Sequence, residues 1–348
     1  SATNVYNTAV GHGAGAEVTT GVQNTLIGAL AGDALTDADL NVAVGYQALS
    51  ADTKGSRNIA IGYSALFSQN FTSSTNSFNT AVGDSAGQQI TTGVENTLIG
   101  GLAGDALTDA DFNIAIGVAA LSADTLGSKT VAIGTGALQT QNFTSATDSF
   151  NTAVGYLAGS ATTTGTSNTL LGGLAGTAIT TGSNNVGVGM ASLYSDTQGS
   201  RNTAIGKNAL YSQNFTSATD TYNVAIGYEA GVAVTTGTVN TLIGGLAGDA
   251  LTDADYNVAV GVGALGADTL GSRSVAIGYN ALEVQNFTSA TDSYNVAVGH
   301  KAGSSVTTGT GNTFLGGASG ESITTGSNNV VIGPYSGNSG GLDIRTAS

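Results

Sequence analysis

The sequence predicts an all-β solenoid, a parallel β-roll of 19 rungs in which each rung is one turn of the chain. A motif of the form Asn-x-Ala-Val/Ile-Gly recurs 19 times between Asn7 and Gly333. Three 17-residue repeats are followed by one 21-residue repeat, and the cycle of four then starts again, so that Asn7 is equivalent to Asn79. Short apolar stretches alternate with polar, turn-forming stretches inside each repeat. A fixed period of this kind is typical of a solenoid, in which each repeat stacks on the next.

The strand of each repeat covers positions 1 to 3 when the Asn is counted as position 0. Position 1 is always Thr, Val or Ile, and position 3 is aliphatic in all 19 repeats, which favours a strand over a helix. Position 2 lies on the opposite face and is Ala in 12 repeats. We expect positions 1 and 3 to fill the core of the roll. We expect position 2 to face the shared axis of a parallel homotrimer, because an apolar stripe marks an interface.

The remaining positions of the repeat predict turns and stacking. Position 4 is Gly in every repeat, which indicates a tight turn, and position 7 is Ala or Ser, which fits a second inward-facing stretch. An Asn column at position 0 is expected to form a ladder of side-chain hydrogen bonds between rungs. At the start of the five cycles these structural residues are Asn7, Gly11, Asn79, Gly83, Asn151, Gly155, Asn223, Gly227, Asn295 and Gly299.

The repeats also predict the domain organisation. Residues 1–6 form an N-terminal lead-in, residues 7–333 form a single β-roll repeat domain, and residues 334–348 form an exit segment toward a downstream domain. Pro334 follows the last repeat Gly and cannot donate a hydrogen bond to a sheet, so we expect regular strand pairing to end there.

Composition excludes several classes of function. The chain has no Cys, which excludes disulfides and thiol chemistry, and its net charge of −15 argues against a nucleic-acid partner. No apolar run is long enough to insert into a membrane within this segment. There are only two His residues, and no His–carboxylate set is apparent in the sequence. We therefore expect no enzyme activity, no catalytic residue and no cofactor.

The repeats NTAVGDSAG (79–87), NIAIGVAAL (113–121) and NTAIGKNAL (202–210) resemble the head repeats of trimeric autotransporter adhesins, the YadA-like head. Similar repeats occur in bacteriophage tail fibres, particularly those of marine and cyanobacterial phages. The resemblance implies a left-handed parallel β-roll that assembles as a homotrimer outside the cell, on a virion tail fibre or a cell surface. It implies a rod-like shaft used in attachment, whose partners are its own copies and a cell-surface glycan or protein receptor. Two alternatives are an extracellular filament joined end to end and an adhesin head that binds glycan or matrix laterally.

The 21-residue repeats carry four nearly identical insertions that could contact a surface. Each insertion contains Asn-Phe-Thr, in which an aromatic ring lies beside amide and hydroxyl groups. One interpretation is a ladder of contact points, and the other is that each Phe folds back to fill the space made by the insertion. The candidate residues are Asn70, Phe71, Asn142, Phe143, Asn214, Phe215, Asn286 and Phe287.

An acidic segment, GDALTDAD, is a weak candidate for a calcium site, because carboxylate oxygens are the ligands that Ca²⁺ prefers. It has neither EF-hand spacing nor a calcium-binding nonapeptide, and a solvated turn is the alternative interpretation. The candidate ligands are Asp33, Asp37, Asp39, Asp105, Asp109 and Asp111.

Overall fold

The protein is a parallel β-solenoid of about 19 turns in a computed structural model that describes residues 5–334 and 343–345. No helix occurs within these described residues. The chain divides into two compact units, Ser1–Asn168 and Thr169–Ser348. Residues 1–4 of the expected lead-in, and residues 335–342 and 346–348 of the expected exit segment, lie outside the described residues.

The first unit is a stack of three-residue strands with shorter two-residue strands beside it. Its strands are Thr8–Val10 (β1), Thr25–Ile27 (β2), Val42–Val44 (β3), Gly55–Ser56 (β4), Ile59–Ile61 (β5), Thr75–Asn76 (β6), Thr80–Val82 (β7), Thr97–Ile99 (β8), Ile114–Ile116 (β9), Gly127–Ser128 (β10), Val131–Ile133 (β11), Thr147–Asp148 (β12) and Thr152–Val154 (β13).

The second unit repeats this arrangement. Its strands are Thr169–Leu171 (β14), Val186–Val188 (β15), Gly199–Ser200 (β16), Thr203–Ile205 (β17), Thr219–Asp220 (β18), Val224–Ile226 (β19), Thr241–Ile243 (β20), Val258–Val260 (β21), Gly271–Ser272 (β22), Val275–Ile277 (β23), Thr291–Asp292 (β24), Val296–Val298 (β25), Thr313–Leu315 (β26), Asn329–Ile332 (β27) and Asp343–Arg345 (β28). Strand β28 pairs antiparallel with β27, beyond the parallel stack.

Successive three-residue strands pair in parallel with no shift in register. Thr25 pairs with Val42, and Leu26 pairs with Ala43, so equal positions of neighbouring rungs lie side by side. The two-residue strands form separate pairs, β4 with β6, β10 with β12, β16 with β18 and β22 with β24. These extra pairs join the third rung of a cycle, a 17-residue repeat, to the fourth, the 21-residue repeat, and build a second short wall that the first two rungs do not have.

Position 2 of the strand points into the roll, which corrects the predicted orientation. Ala43, Ala60 and Leu98 are fully buried, whereas Ile59 and Ile61, at positions 1 and 3 of one strand, are 39% and 37% exposed. The prediction that positions 1 and 3 fill the core while position 2 faces a shared axis is therefore wrong. Ala fits inside because the opposite wall, where position 7 is a buried Ala such as Ala48, comes close to the strand.

The bulk of the core comes from positions 8 and 11. In the first two rungs of a cycle, position 8 is Gly and position 11 is usually aliphatic, as at Gly32 and Leu35. In the third and fourth rungs, position 8 is Leu and position 11 is polar, as at Leu49 and Asp52. Leu35 and Leu49 are both fully buried. Two alternating ways of filling the same interior thus explain why the cycle contains four repeats of unequal composition.

The Gly at position 4 is required by the stacking itself. Gly11 has a φ of 133°, and a Cβ on it would lie 2.6 Å from the carbonyl carbon of Gly28 on the next rung. That φ also lies in a region that L side chains rarely adopt. Any other residue at position 4 would therefore force neighbouring rungs apart.

Candidate functional site

The Asn column holds the rungs together through two hydrogen bonds per side chain. The Oδ1 of Asn96 accepts a hydrogen bond from the backbone N–H of Asn113 at 3.0 Å, and its Nδ2 donates to the carbonyl of Ala110 at 2.8 Å. Asn96 and Asn113 are fully buried. The column is interrupted at Thr130, where the hydroxyl of Ser149 accepts the hydrogen bond from the N–H of Asn151 at 3.2 Å. These Asn residues satisfy buried backbone groups, which is a structural role.

Buried Asp–Gln pairs occupy position 11 in the third and fourth rungs of each cycle. The Nε2 of Gln69 donates to the Oδ2 of Asp52 at 2.6 Å, and the backbone N–H groups of Gly55 and Phe71 donate to Oδ1 at 3.0 and 3.2 Å. The Oε1 of Gln69 accepts from the Nδ2 of Asn79 at 2.8 Å. The corresponding Nε2–Oδ2 contacts are Gln141 to Asp124, Gln213 to Asp196 and Gln285 to Asp268.

Burial raises the pKa of the Asp52 carboxyl, and the hydrogen bonds from Gln69, Phe71 and Gly55 offset part of that rise. The pKa values of Asp124, Asp196 and Asp268 are raised for the same reason. These pairs were not predicted from the sequence. The sequence does contain an indication of them, because Asp52 and Gln69 occupy the repeat position at which other rungs carry a buried aliphatic residue such as Leu35.

The Phe rings of the four insertions are buried. Phe71 is only 7% exposed, and a Cβ on Gly55 would lie 2.9 Å from its Cδ2 atom. The hydroxyl of Thr53 donates to the carbonyl of Phe71 at 2.9 Å, which fixes the insertion to the rung before it. Phe143, Phe215 and Phe287 are buried in the same way. This placement agrees with the interpretation that the ring fills the space made by the insertion.

The Asn residues of the same insertions lie at the surface. Asn70 is exposed, and its Oδ1 accepts a hydrogen bond from Thr53 at 3.1 Å. Asn142, Asn214 and Asn286 make the equivalent contact with a Thr of the preceding rung. Contact between these amides and a ligand stays a prediction.

The acidic segments do not bring their carboxylates together. Asp39 accepts a hydrogen bond from the backbone N–H of Val22 at 2.8 Å, and Asp109 accepts one from Thr92 at 2.6 Å. Asp111 accepts from the N–H of Val94 at 2.8 Å, and the carboxylate of Asp37 accepts from the hydroxyl of Thr36 at 3.4 Å. Asp39, Asp109 and Asp111 thus tie one rung to its neighbour.

The other two calcium candidates, Asp33 and Asp105, are partly buried, and their Oδ1 atoms have no hydrogen-bonding partner among the described residues. Burial raises the pKa of both carboxyl groups. Within residues 5–334 and 343–345, no three His, Cys, Asp or Glu side chains are grouped so that they could hold a metal ion.

Four cation–aromatic clusters lie on the surface where the strand of the fourth rung begins. Each contains a Lys or Arg at position −1 of the fourth rung and an aromatic ring at position −1 of the next rung. The pairs, with their cation-to-centroid distances, are Arg57 and Phe78 at 5.8 Å, Lys129 and Phe150 at 5.4 Å, Arg201 and Tyr222 at 5.7 Å, and Arg273 and Tyr294 at 6.0 Å. No sequence-based prediction concerned position −1, although its cation and its aromatic residue recur once in every full cycle.

Each cluster also contains a polar acceptor on the short second wall. The Nε of Arg201 lies 3.0 Å from Asp220, and the Nε of Arg273 lies 3.0 Å from Asp292. The equivalent contacts are Lys129 with Asp148 at 2.5 Å and Arg57 with Asn76 at 3.2 Å. The clusters are therefore built from two elements, the start of the strand and the neighbouring two-residue strand.

An apolar stripe covers the outer face of the three-residue strands. Its members occupy position 3, which is aliphatic in every rung, and position 1, which is Val, Ile or Thr. Ile27, Ile99 and Ile243 at position 3 are between 36% and 39% exposed in the isolated chain. This face recurs in the described rungs of both units.

The second unit also has an open groove that includes Gly263 and Gly266. It is lined by these two glycines together with Leu246, Asp249, Val262, Ala267, Tyr279, Asn280, Glu283 and Val284. Burial raises the pKa of Asp249, and the charge of Glu229 adds to the rise. The groove is formed by three successive rungs of the second unit, whereas the clusters and the stripe recur.

The sequence matches no family model, and it matches none of the curated proteins. The described residues contain no helix that is long and apolar enough to cross a membrane.

Proposed function

We propose that the chain is a structural, adhesive fibre protein, a rod-like trimeric shaft used in attachment to a host or receptor. The observation that supports this proposal is the apolar stripe at positions 1 and 3, which an isolated roll leaves partly exposed along its rungs. Apolar surface repeated in this way marks an interface with another protein surface. Copies of the same chain fit it best, because an identical order of 17-residue and 21-residue repeats keeps every rung in register with its equivalent.

The proposed assembly is a parallel homotrimer in which positions 1 and 3, and not position 2, face the shared axis. Three flat faces around one axis cover each other fully, and β-branched side chains pack well on a pleated surface. The resemblance to YadA-like heads supports the trimer and a left-handed roll. It also supports an extracellular location, on a phage tail fibre or on a bacterial surface adhesin.

The trimer is tested by light scattering on the purified chain, where we expect three times the mass of a single chain. Replacing four outer-face residues, Ile61→Thr, Ile99→Thr, Ile116→Thr and Ile133→Thr, keeps the β-branched shape but makes the stripe polar. We expect this variant to lose the trimer, because each change removes apolar surface from the interface. A matched control replaces four exposed Tyr residues at position 5, Tyr46, Tyr63, Tyr156 and Tyr279, by Thr and keeps the trimer.

A monomeric mass for the unmodified chain at micromolar concentration would overturn the assembly. Electron microscopy of the native material separates the fibre shaft from an end-to-end filament, because a filament has no fixed length while a shaft does.

A further inference from the structure

The cation–aromatic clusters expose rings that the roll itself does not use for packing. Phe78, Phe150, Tyr222 and Tyr294 are between 51% and 58% exposed, whereas the Phe rings of the insertions are buried. In the fourth cluster Arg273 also lies 4.7 Å from the ring of Tyr256, so that the guanidinium group contacts two exposed rings. Exposed aromatic rings beside Arg are enriched where proteins bind a partner.

The charge of three of the four clusters favours a neutral partner, whereas Arg57 of the first cluster contacts the neutral amide of Asn76. Lys129, Arg201 and Arg273 are each paired with a carboxylate, and the chain as a whole carries a net charge of −15. A polyanion would be repelled by that net charge and would find three of the four cations already paired. A polycation would meet a guanidinium or ammonium group at the centre of the cluster.

Hydrogen-bonding capacity remains at the clusters. Arg201 and Arg273 contact their carboxylates through Nε, and each guanidinium group carries further N–H donors on its two Nη atoms. The paired carboxylates of Asp220 and Asp292 are about half exposed and can accept further hydrogen bonds. A ring that offers a flat apolar face beside donors and acceptors matches a sugar, whose C–H face packs on an aromatic ring while its hydroxyl groups hydrogen-bond at the edge.

We propose that the four clusters are repeated sites for a neutral polysaccharide, with one sugar ring on Phe78, Phe150, Tyr222 or Tyr294 at each site. This inference rests on the proposed attachment function and names its partner. Asp148, Asp220 and Asp292 lie on the short second wall, in strands other than those whose outer face is proposed to form the trimer. The rings of the sites lie where those strands begin and are more than half exposed in the isolated chain. We expect each site to stay accessible at the edge of that face when it is covered.

Periodicity adds to the strength of binding. In the first unit, Arg57 and Lys129 belong to fourth rungs separated by one cycle, and the same holds for Arg201 and Arg273 in the second unit. Four rungs at about 4.8 Å each place the two sites of a unit roughly 19 Å apart. A polysaccharide long enough to reach two sites of one unit gains avidity over a single sugar without any new contact.

The test measures binding of neutral glucose, galactose and mannose oligosaccharides by isothermal titration calorimetry. We expect binding that strengthens at least tenfold once the oligosaccharide is longer than about 19 Å. The variant carries Phe78→Asn, Phe150→Asn, Tyr222→Asn and Tyr294→Asn. Asn is compatible with the backbone there, because Asn184 occupies the equivalent position with a φ of 60°. We expect the variant to bind at least tenfold more weakly while its thermal unfolding stays unchanged.

The matched control also removes four exposed rings, but outside the clusters, by replacing Tyr46, Tyr63, Tyr156 and Tyr279 with Thr. We expect this control to bind the sugar as tightly as the unmodified chain does. Binding of a neutral sugar should not change between about 0.05 and 0.5 M salt, because no ion pair forms. Three results would each overturn the proposal. They are absence of binding to all three sugar series, equal binding by the Asn variant, and a preference for acidic glycans with a steep salt dependence. A monomeric mass would contradict the proposed trimer and leave this binding measurable.

Discussion

At the scale of the residue, the four buried Asp carboxyls make the folded state sensitive to pH. Burial raises the pKa of Asp52 above its ordinary value, so the folded state holds the proton more tightly than the unfolded state. The resulting stabilisation is complete below the unfolded pKa of 3.8 and is lost as the pH rises through the folded pKa. The ionised carboxylate is thus a cost at neutral pH that Gln69, Gly55 and Phe71 reduce.

We expect Asp52→Asn to remove this pH dependence. The new amide would face the donating Nε2 of Gln69, so the variant should lose about 1–3 kcal/mol in acid, where the native carboxyl is protonated. The difference in melting temperature between the native chain and the variant should shrink between about pH 3 and pH 7. Asp84→Asn is the control, because Asp84 is exposed and the change in charge is the same. A difference that grows with pH would contradict this account.

The Asn ladder is open to a second test at the residue scale. Asn96→Ala would leave the N–H of Asn113 and the carbonyl of Ala110 buried without their partners. Each such group costs about 1–3 kcal/mol, so we expect a loss of at least about 2 kcal/mol in urea unfolding. Asn70→Ala, which removes an exposed amide, should cost less than about 0.5 kcal/mol. Equal losses in the two variants would argue against the ladder.

At the scale of the element, the first two rungs of each cycle balance Gly at position 8 against the residues that face it. A Cβ on Gly32 would lie 2.8 Å from both the Cδ2 of Leu26 and the Cδ1 of Leu35. A Cβ on Gly15, at position 8 of the first rung, would also lie 2.8 Å from Leu26. The missing side chains at position 8 of both rungs thus leave room for the Leu at position 2 of the second rung, where most rungs carry Ala.

This balance predicts coupling between the two positions. Gly32→Ala should cost about 1–3 kcal/mol through crowding, and Leu26→Ala about 2–5 kcal/mol through the cavity it leaves. In the double variant the new methyl group occupies part of that cavity, so the combined loss should be smaller than the two single losses added together. Urea unfolding of the four proteins measures this difference. Strict additivity would show that the two side chains do not share the space.

The period, the strands and the inward Ala at position 7 could be predicted from the sequence, because each leaves a fixed mark in every repeat. The sequence does not predict which face of the strand points into the roll, because alternation defines two faces and both are apolar here. The decision depends on the volume supplied by residues such as Leu49 and Leu35, which belong to the opposite wall. Asp52 and Gln69 were missed for a related reason, because a polar pair is buried only when its partners are supplied by other rungs.

At the scale of the whole molecule, the cycle of four rungs is the unit in which the chain can change length. Deleting residues 79–150 removes one full cycle and joins Phe78 to Asn151, which recreates the Phe–Asn junction already present at Phe150. We expect the shortened protein to fold with the same circular dichroism per residue, because every rung meets an equivalent neighbour. A control deletion of residues 79–154 also removes strand β13, and it should lower the melting temperature markedly. Equal melting temperatures for the two deletions would contradict this account.

The rung-to-rung hydrogen bonds have a further consequence, for how the chain is made. The ladder and interior bonds join residues that are 14, 17 or 21 positions apart, as in Asn96 with Ala110, Asn113 with Asn96, and Asn79 with Asn58. Such closures are local and do not lengthen as rungs are added. Each rung can therefore form soon after it leaves the ribosome, on the rung made just before it. A longer chain should then take longer to synthesise, but its folding should not require a slow search for contacts that are distant in the sequence.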